Sequence, residues 1–207
     1  MKHSLVLRLA LIAPIKYSFA YALGLMLLVP MVVHAAHTPV FITTERLSLR
    51  EFTPEDYSAL VALRSDKDFM SFSSVSTPEK TAEFLHKHSE AYERDGFSKW
   101  AVIDCKTNRL IGYCGLCWVD VDGEKIVELG YRLSKDCWGR GLGTEAVIAA
   151  KNWAFTETNL TELVSCISED NQRSVRVAEK NGMTFWKKWR FLGEEVLVYR
   201  ITKKAIS

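Results

Sequence analysis

The sequence lacks a strong excess of charge of either sign. Among 207 residues, 27 are Lys or Arg and 25 are Asp or Glu, which leaves a formal net charge of +2. Residues 1–36 hold three of the basic side chains and no acidic one, so the rest of the chain carries a net charge of −1. Because a near-neutral body offers no broad basic face, we expect no nucleic-acid partner.

The chain also lacks the features of a disulfide scaffold and of a metal site. Its five cysteines are an odd number in a long chain, unlike the even set of a small secreted protein. Cys114 and Cys117 form a lone Cys-x-x-Cys pair, whose spacing on a strand points the two thiols to opposite faces. His86 and His88 do not share a helix face, and we expect them to be solvated or half-buried. The sequence therefore predicts no metal site.

The first 36 residues form an apolar segment that stands apart from the body. Residues 17–36 contain no Asp, Glu, Lys or Arg, and a helix of that length would rise about 30 Å, enough to cross a bilayer core. Three interpretations stay open: a translation start at Met26 or Met31, an uncleaved membrane anchor, or a cleaved signal peptide. For an anchor, the basic residues ahead of the span favour an external body.

Residues 38–204 are predicted to form one domain in which strands and helices are mixed. Each of the first two helices begins with Thr-Pro-Glu, which supplies an N-cap, a proline at the first position and an acid in the first turn. The predicted order is strand, two helices, three strands, helix, strand, helix and two strands. This order indicates a mixed α/β sheet (α+β) and excludes a doubly wound Rossmann array. The predicted strands are residues 47–51, 100–104, 110–118, 126–133, 163–167, 185–189 and 196–201, and the helices follow Thr53, Thr77, Gly143 and Arg173.

A glycine-rich turn before the third helix is the strongest functional signal. Because Gly139, Gly141 and Gly143 lack Cβ atoms, their backbone N–H groups can point into one concavity. The following helix adds its unpaired first-turn donors and positive dipole end, an arrangement suited to a pyrophosphate, with Arg140 as a mobile cation at the rim. The turn has neither the ending of a Walker loop nor the Gly-x-Gly-x-x-Gly spacing. A glycine-rich connection without a ligand is the other interpretation.

Several motifs in chain order resemble the GNAT superfamily of acetyl-CoA-dependent N-acetyltransferases. The motifs are Glu128 to Leu133, Trp138 to Ala146, Asn171 to Ser174 and Glu179 to Met183, while Thr44 to Arg50 resembles the first strand of the branch containing the ribosomal-protein N-terminal acetyltransferases. The resemblance covers about residues 40–202. It implies a mostly antiparallel central sheet with a splayed parallel strand pair and flanking helices. It also implies acetyl transfer from acetyl-CoA to a primary amine, at a protein N-terminus or on a small molecule, by direct attack in a ternary complex.

The same resemblance implies roles for individual residues. Asn171 would hydrogen-bond the pantetheine, and Ser174 would lie near the thioester sulfur and give the thiolate a proton, although its hydroxyl could instead cap its helix. The acetyl and pantetheine arm would run along the strand backbone of Tyr131, Arg132 and Leu133, and the pyrophosphate would be wrapped by Trp138, Gly139, Arg140, Gly141, Leu142, Gly143 and Thr144.

The proton acceptor is less clearly marked. Glu128 lies at the start of the predicted strand, beside the acetyl site, and could accept the proton of the amine directly or through water. Alternatively, it could be a surface carboxylate that caps the strand end. In the branch, a glutamate after the last helix is sometimes placed near the amine. Here residues 185–190 contain no acid, and none follows before Glu194, so this departure leaves the base and the acceptor open. The basic residues of that stretch, Lys187, Lys188 and Arg190, are expected to form a solvated strand face, and the other interpretation is that they border the substrate cleft.

The resemblance also affects which of the three interpretations of the apolar segment we favour. Members of the branch usually begin only a few residues before the Thr44 motif, and acetyl-CoA is a cytosolic metabolite. We therefore expect a cytoplasmic, soluble chain that lacks most of residues 1–30, with membrane association only through residues 1–36. The expected partners are acetyl-CoA and an amine, without a metal, in a monomer or homodimer. The alternative function is a non-catalytic acyl-CoA-binding regulatory module.

Overall fold

The computed structural model describes residues 41–191 and 193–205. The three interpretations of residues 1–36 therefore lie outside the described residues. In the described ranges, no helix is both long enough and apolar enough to cross a membrane.

The described chain follows the predicted order of elements with one strand added at the front. That strand, β1, lies at the sheet edge. It has three residues, which are too few to show an alternating pattern. The strands are β1 (Phe41–Thr43), β2 (Leu47–Arg50), β3 (Lys99–Asp104), β4 (Arg109–Val121), β5 (Glu124–Leu133), β6 (Glu162–Ser168), β7 (Thr184–Phe191) and β8 (Glu194–Thr202). The helices are α1 (Tyr57–Ser65), α2 (Pro78–Asp95), α3 (Leu142–Glu157) and α4 (Gln172–Lys180).

The predicted N-terminal signals of the first two helices are present in the structure. Thr77 caps α2 by accepting a hydrogen bond of 3.3 Å from the Lys80 N–H. Before α1, Thr53 precedes a single 3₁₀ turn, and its N–H donates to the Asp56 carboxylate at 2.8 Å. Arg50 donates two hydrogen bonds, of 2.6 and 2.9 Å, to the same carboxylate, and these bonds connect the start of α1 to β2.

All eight strands join one sheet in the order β1-β2-β3-β4-β5-β6-β8-β7. Every neighbouring pair is antiparallel except β5 and β6, which confirms the predicted mostly antiparallel sheet with one parallel pair. The parallel pair shares a single register position, Glu128 opposite Val164. Beyond that position the two strands part and leave a groove between them.

Helices cover the two faces of the sheet and divide the core. On β3, Trp100 and Val102 pack in the cluster that includes α3 and α4, whereas Ala101 and Ile103 pack in the cluster that includes α1. Successive residues of a strand alternate between the faces in this way. Tyr131 and Arg132 of β5 therefore point to opposite sides of the sheet, and this alternation decides what each of them does.

Candidate active site

The groove lies where β5 and β6 separate and has a volume of about 550 Å³. It is lined by both strands, by the start of α3, by α4 and by the connection between α1 and α2. At its closed end, the Ser165 hydroxyl donates a 2.6 Å hydrogen bond to the Leu129 carbonyl and bridges the parting strands. Past this bridge, β5 pairs with β4 along one edge and turns its other edge to the groove. Such an edge presents backbone donors and acceptors to an extended, amide-containing ligand.

The glycine-rich turn lies at the start of α3. Gly139 and Gly141 have φ of +73° and +80°, the left-handed region that glycine enters without strain, and Gly141 precedes the first helical residue, Leu142. Leu142, Gly143 and Thr144 line the groove from the first turn of the helix. The turn and the helix start thus supply the concavity and the unpaired N–H groups expected of an anion site.

Gly143 has a second requirement for the absence of a Cβ atom. It lies inside α3 and is not among the residues with positive φ. A Cβ atom at this position would lie 2.8 Å from a carbon of the Tyr131 ring. The glycine is therefore needed for the close approach of the Tyr131 ring to the helix, and its place in the anion-binding concavity stays a prediction.

Arg140, the predicted mobile cation at the rim, is exposed and is not among the residues that line the groove. Its carbonyl accepts a 2.9 Å hydrogen bond from Arg46, which also donates from Nε to Glu145 at 2.7 Å. Thr44 donates to the same carboxylate at 2.6 Å, and we call Thr44, Arg46 and Glu145 the loop clamp. The clamp ties the β1–β2 turn to the glycine-rich turn, and sequence reasoning missed it.

The loop clamp also fixes the charge state of Glu145. Partial burial acts to raise the pKa of this carboxyl, but the hydrogen bonds from Thr44 and Arg46 outweigh burial and lower it. Glu145 is therefore an anion at neutral pH, placed in the first turn of α3 close to the predicted phosphate site. The guanidinium of Arg46 compensates this negative charge.

Trp138 of the turn contacts β5 on one side and α4 on the other. Its indole N–H donates a 2.8 Å hydrogen bond to the Leu133 carbonyl at the end of β5, where the Leu133 side chain itself is buried. The Arg173 guanidinium lies 3.9 Å from the centroid of the indole ring. Arg173, Arg176 and Lys180 also line the groove from α4. Sequence reasoning missed these cations, although their spacing along one helix was available as a signal.

Two hydroxyls meet in the groove. The Ser174 Oγ lies 3.3 Å from the Tyr131 phenol oxygen, and both residues line the groove. Asn171 caps α4, since its side-chain oxygen accepts a 3.2 Å hydrogen bond from the Ser174 N–H. The interpretation of Ser174 as the helix cap is therefore wrong. Burial raises the pKa of Tyr131 despite the opposing effect of Ser174, so the phenol keeps its proton at neutral pH.

Arg132 lines the groove from the opposite face of β5. Its guanidinium donates to the Phe69 carbonyl at 3.0 Å and to the Ser73 hydroxyl at 2.9 Å. The side chain thus fastens the connection between α1 and α2, from which Phe69, Ser71, Phe72 and Ser73 reach the groove. Strand alternation turns the Arg132 side chain away from Tyr131, and the predicted role of the Arg132 backbone along the cofactor arm stays a prediction.

Glu128 lies within β5, four residues after the strand begins at Glu124, and not at a strand end. The interpretation as a surface carboxylate that caps the strand end is therefore wrong. The Glu128 side chain is 20% exposed, and its Oε2 atom lies 3.5 Å from the Lys99 Nζ atom. The Cys117 thiol donates to the same oxygen at 3.3 Å. Burial raises the pKa of Cys117 to about 11, so this donor is a neutral thiol at physiological pH.

The two histidines and the Cys-x-x-Cys pair are the residues considered from the sequence as metal ligands. His86 is exposed, but His88 is buried against the Phe84 ring and 2.6 Å from the Ser98 hydroxyl, so the expectation of a solvated or half-buried His88 is wrong. Burial, aided by the charge of Lys99, lowers the pKa of His88 to about 3. Cys114 lies in the core shared with α3, on the opposite face from Cys117. In the described ranges, no three His, Cys, Asp or Glu residues could hold a metal ion.

The basic stretch of β7 forms surface ion pairs. Lys187 lies 2.5 Å from the Asp122 carboxylate, and Lys188 lies 2.5 Å from Glu169 and 3.0 Å from Glu195. These contacts confirm the interpretation as a solvated strand face.

Comparisons with known proteins agree with this geometry. The acetyltransferase (GNAT) domain family matches residues 46–184. The Bacillus subtilis protein YnaD, described as an uncharacterized N-acetyltransferase, is 31% identical over 69% of this chain and 81% of its own length. An acetyltransferase structure from Agrobacterium tumefaciens is 29% identical with a TM-score of 0.68, covering 79% of this chain and 95% of that chain.

A further solved structure is similar in fold alone. RimL, a ribosomal L7/L12 alpha-N-protein acetyltransferase in complex with coenzyme A, is 19% identical with a TM-score of 0.67. The match covers 80% of this chain and 99% of RimL.

Proposed function

We propose that this chain moves the acetyl group of acetyl-CoA to a primary amine. The premise is that the chain belongs to the acetyltransferase (GNAT) domain family and is an acyltransferase. The transfer is direct, within a ternary complex. The acceptor is a protein N-terminus, as the name of RimL states for that protein, or a small-molecule amine. The observation that carries the proposal is one groove lined by both the glycine-rich turn and the Glu128 carboxylate.

The phosphate end of the groove (residues 138–144) is suited to coenzyme A. The first-turn N–H groups of α3 and the left-handed glycines form the concavity for the pyrophosphate. Arg173, Arg176 and Lys180 line the same groove and bring positive charge to a ligand that carries several negative phosphates. The free edge of β5 along residues 129–133 accommodates the amides of the pantetheine arm, with Asn171 as a further hydrogen-bonding partner.

The reactive end of the groove (Glu128, Tyr131 and Ser174) supplies the groups that amine acetylation requires. The amine nitrogen forms a bond to the thioester carbonyl carbon, and a backbone N–H within residues 131–133 stabilises the carbonyl oxygen as it gains charge. The carbon–sulfur bond then breaks. Glu128 accepts the proton that the amine loses, directly or through water, and the Tyr131–Ser174 hydroxyl pair gives a proton to the departing thiolate. The products are an N-acetylated amine and free coenzyme A.

The test is a thiol-release assay with acetyl-CoA over a panel of amines. Each peptide with a free N-terminus is matched by the same peptide with a blocked N-terminus, and small amines are matched by the corresponding alcohols. We expect release that depends on the free amine, an acetylated product by mass spectrometry, and intersecting initial-rate lines typical of a ternary complex. Binding of acetyl-CoA without amine-dependent release, as expected of a non-catalytic module, would contradict the proposal.

A further inference from the structure

A buried lysine lies beside the carboxylate of the reactive end. The Lys99 side chain is 10% exposed, lines the groove from β3, and reaches Glu128 across β4. Its ammonium donates to the Gly115 carbonyl at 3.2 Å and to Glu128 Oε2 at 3.5 Å. A Cβ atom at Gly130 would lie 2.7 Å from the Lys99 Nζ atom. The ammonium therefore occupies space that the missing side chain of Gly130 leaves, and a backbone carbonyl holds it there.

A buried ammonium is costly unless an opposite charge compensates it. Burial by itself favours the neutral amine, but the acidic groups near Lys99, first among them Cys117 and Glu128, outweigh burial and raise its pKa. Cys117 is a neutral thiol at physiological pH, as its pKa of about 11 shows. The Glu128 carboxylate, 3.5 Å from the Lys99 Nζ atom, is therefore the group that compensates the ammonium.

We propose that Lys99 is a positioning residue that holds the Glu128 carboxylate oriented as the proton acceptor, an inference that rests on the proposed function. The groups that face Glu128 are Lys99 from β3, Cys117 from β4 and Cys166 from β6. His88 from α2 and Cys114 and Tyr113 from β4 lie near Lys99, and Lys87 from α2 lies near Cys117. Lys99 is the cation within hydrogen-bonding distance of the carboxylate in the described cluster.

The test compares Lys99→Met, Glu128→Gln and the double variant in pH profiles of amine acetylation. Lys99→Met keeps the length of the side chain and removes its charge. We expect the kcat of this variant to fall about 10- to 100-fold at every pH, with little change in the KM for the amine, because the carboxylate loses the ammonium that orients it. Glu128→Gln should lower kcat by at least as much. In the Glu128→Gln background, Lys99→Met should cause no further loss of rate, because the lysine acts through the carboxylate.

Lys151→Met is the matched control. Lys151 is also buried, and its ammonium donates a 3.1 Å hydrogen bond to the Asn181 carbonyl, but it does not line the groove. This control should melt at a lower temperature and keep the wild-type kcat per folded molecule. Lys99→Gln serves as the second neutral variant if Lys99→Met does not fold. Acetyl-CoA affinity, measured by calorimetry, should be unchanged in every Lys99 variant.

The outcomes separate this inference from the proposed function. If the wild-type protein acetylates no amine, the proposed function fails and the inference fails with it. If the wild-type protein is active but Lys99→Met keeps the wild-type kcat per folded molecule, the inference alone is overturned. Additive losses in the double variant would also overturn it, because they would show that Lys99 acts independently of Glu128.

Discussion

The phosphate end and the reactive end of the groove are built in different ways. Under the proposed function, the phosphate end, one continuous stretch of residues 138–144, acts through backbone N–H groups of a turn and a helix start. The reactive end brings together Glu128 and Tyr131 from β5 and Ser174 from α4, with Lys99 of β3 beside Glu128, and it acts through side chains.

This difference explains what each end tolerates. A backbone site depends on the conformation of a few consecutive residues, so glycine is the residue that matters there. A side-chain site depends on strand register and alternation, because a shift of one residue would turn Glu128 to the other face of the sheet. Substitutions at the phosphate end should therefore change acetyl-CoA affinity, and substitutions at the reactive end should change turnover.

The largest expected effect is at the reactive end. Ser174→Ala should lower the single-turnover rate by about 10²- to 10⁴-fold with folding and acetyl-CoA affinity nearly intact, since it removes a proton donor to the thiolate. Single-turnover kinetics and calorimetry on the same preparation measure the two quantities. Tyr131→Phe shows which hydroxyl of the pair donates the proton. A wild-type rate per folded molecule in Ser174→Ala would remove this residue from the mechanism.

The next effect is at the phosphate end. Gly141→Val should weaken acetyl-CoA binding about 10- to 100-fold, because a β-branched residue at φ of +80° is strained and displaces the turn. The control is Gly123→Val, with φ of +83° in the turn between β4 and β5 and outside the groove lining. Calorimetry on folded protein measures the affinity. Equal affinity in the two variants would contradict the assignment of the turn to the pyrophosphate.

A smaller effect tests whether the loop clamp belongs to the phosphate end. Arg46→Gln should weaken coenzyme A binding about 3- to 10-fold, because it frees the Arg140 carbonyl and leaves Glu145 uncompensated near the phosphates. Binding of a pantetheine fragment without phosphates should not change. Arg94→Gln, which removes an exposed arginine paired with Asp95 on α2, is the control. An equal loss for both ligands would mean that the clamp only maintains the fold.

The smallest effect separates the two roles of Asn171. Asn171→Ala should lower the free energy of unfolding by about 1 kcal/mol, because α4 loses its N-cap. Asn171→Ser keeps an oxygen that can cap the helix and should recover most of that stability in a denaturant titration. If Asn171 also binds pantetheine, Asn171→Ser should still bind acetyl-CoA more weakly than the wild-type protein. Full recovery of both properties would limit the residue to capping.

Local patterns in the sequence were sufficient for much of this protein. The Thr-Pro-Glu signals, the alternating strands and the glycine-rich turn each depend on neighbours a few residues apart, and the predicted order of elements is confirmed from β2 to β8. The left-handed glycines at 139 and 141 follow from the same local logic. The three-residue strand β1 was missed because its pairing with β2, and not its own pattern, makes it a strand.

The tertiary structure decided how the side chains of the groove are used. The turn alone does not predict that the Tyr131 ring of β5 packs against Gly143, or that the Arg46 guanidinium donates to the Arg140 carbonyl. Lys99 and Glu128 are 29 residues apart, and only the register of β3, β4 and β5 brings their charges within 3.5 Å. Backbone conformation is set by adjacent residues, so the sequence alone could predict it. Contacts between charges on separate strands depend on the pairing of the whole sheet, so they appear only once the chain is folded.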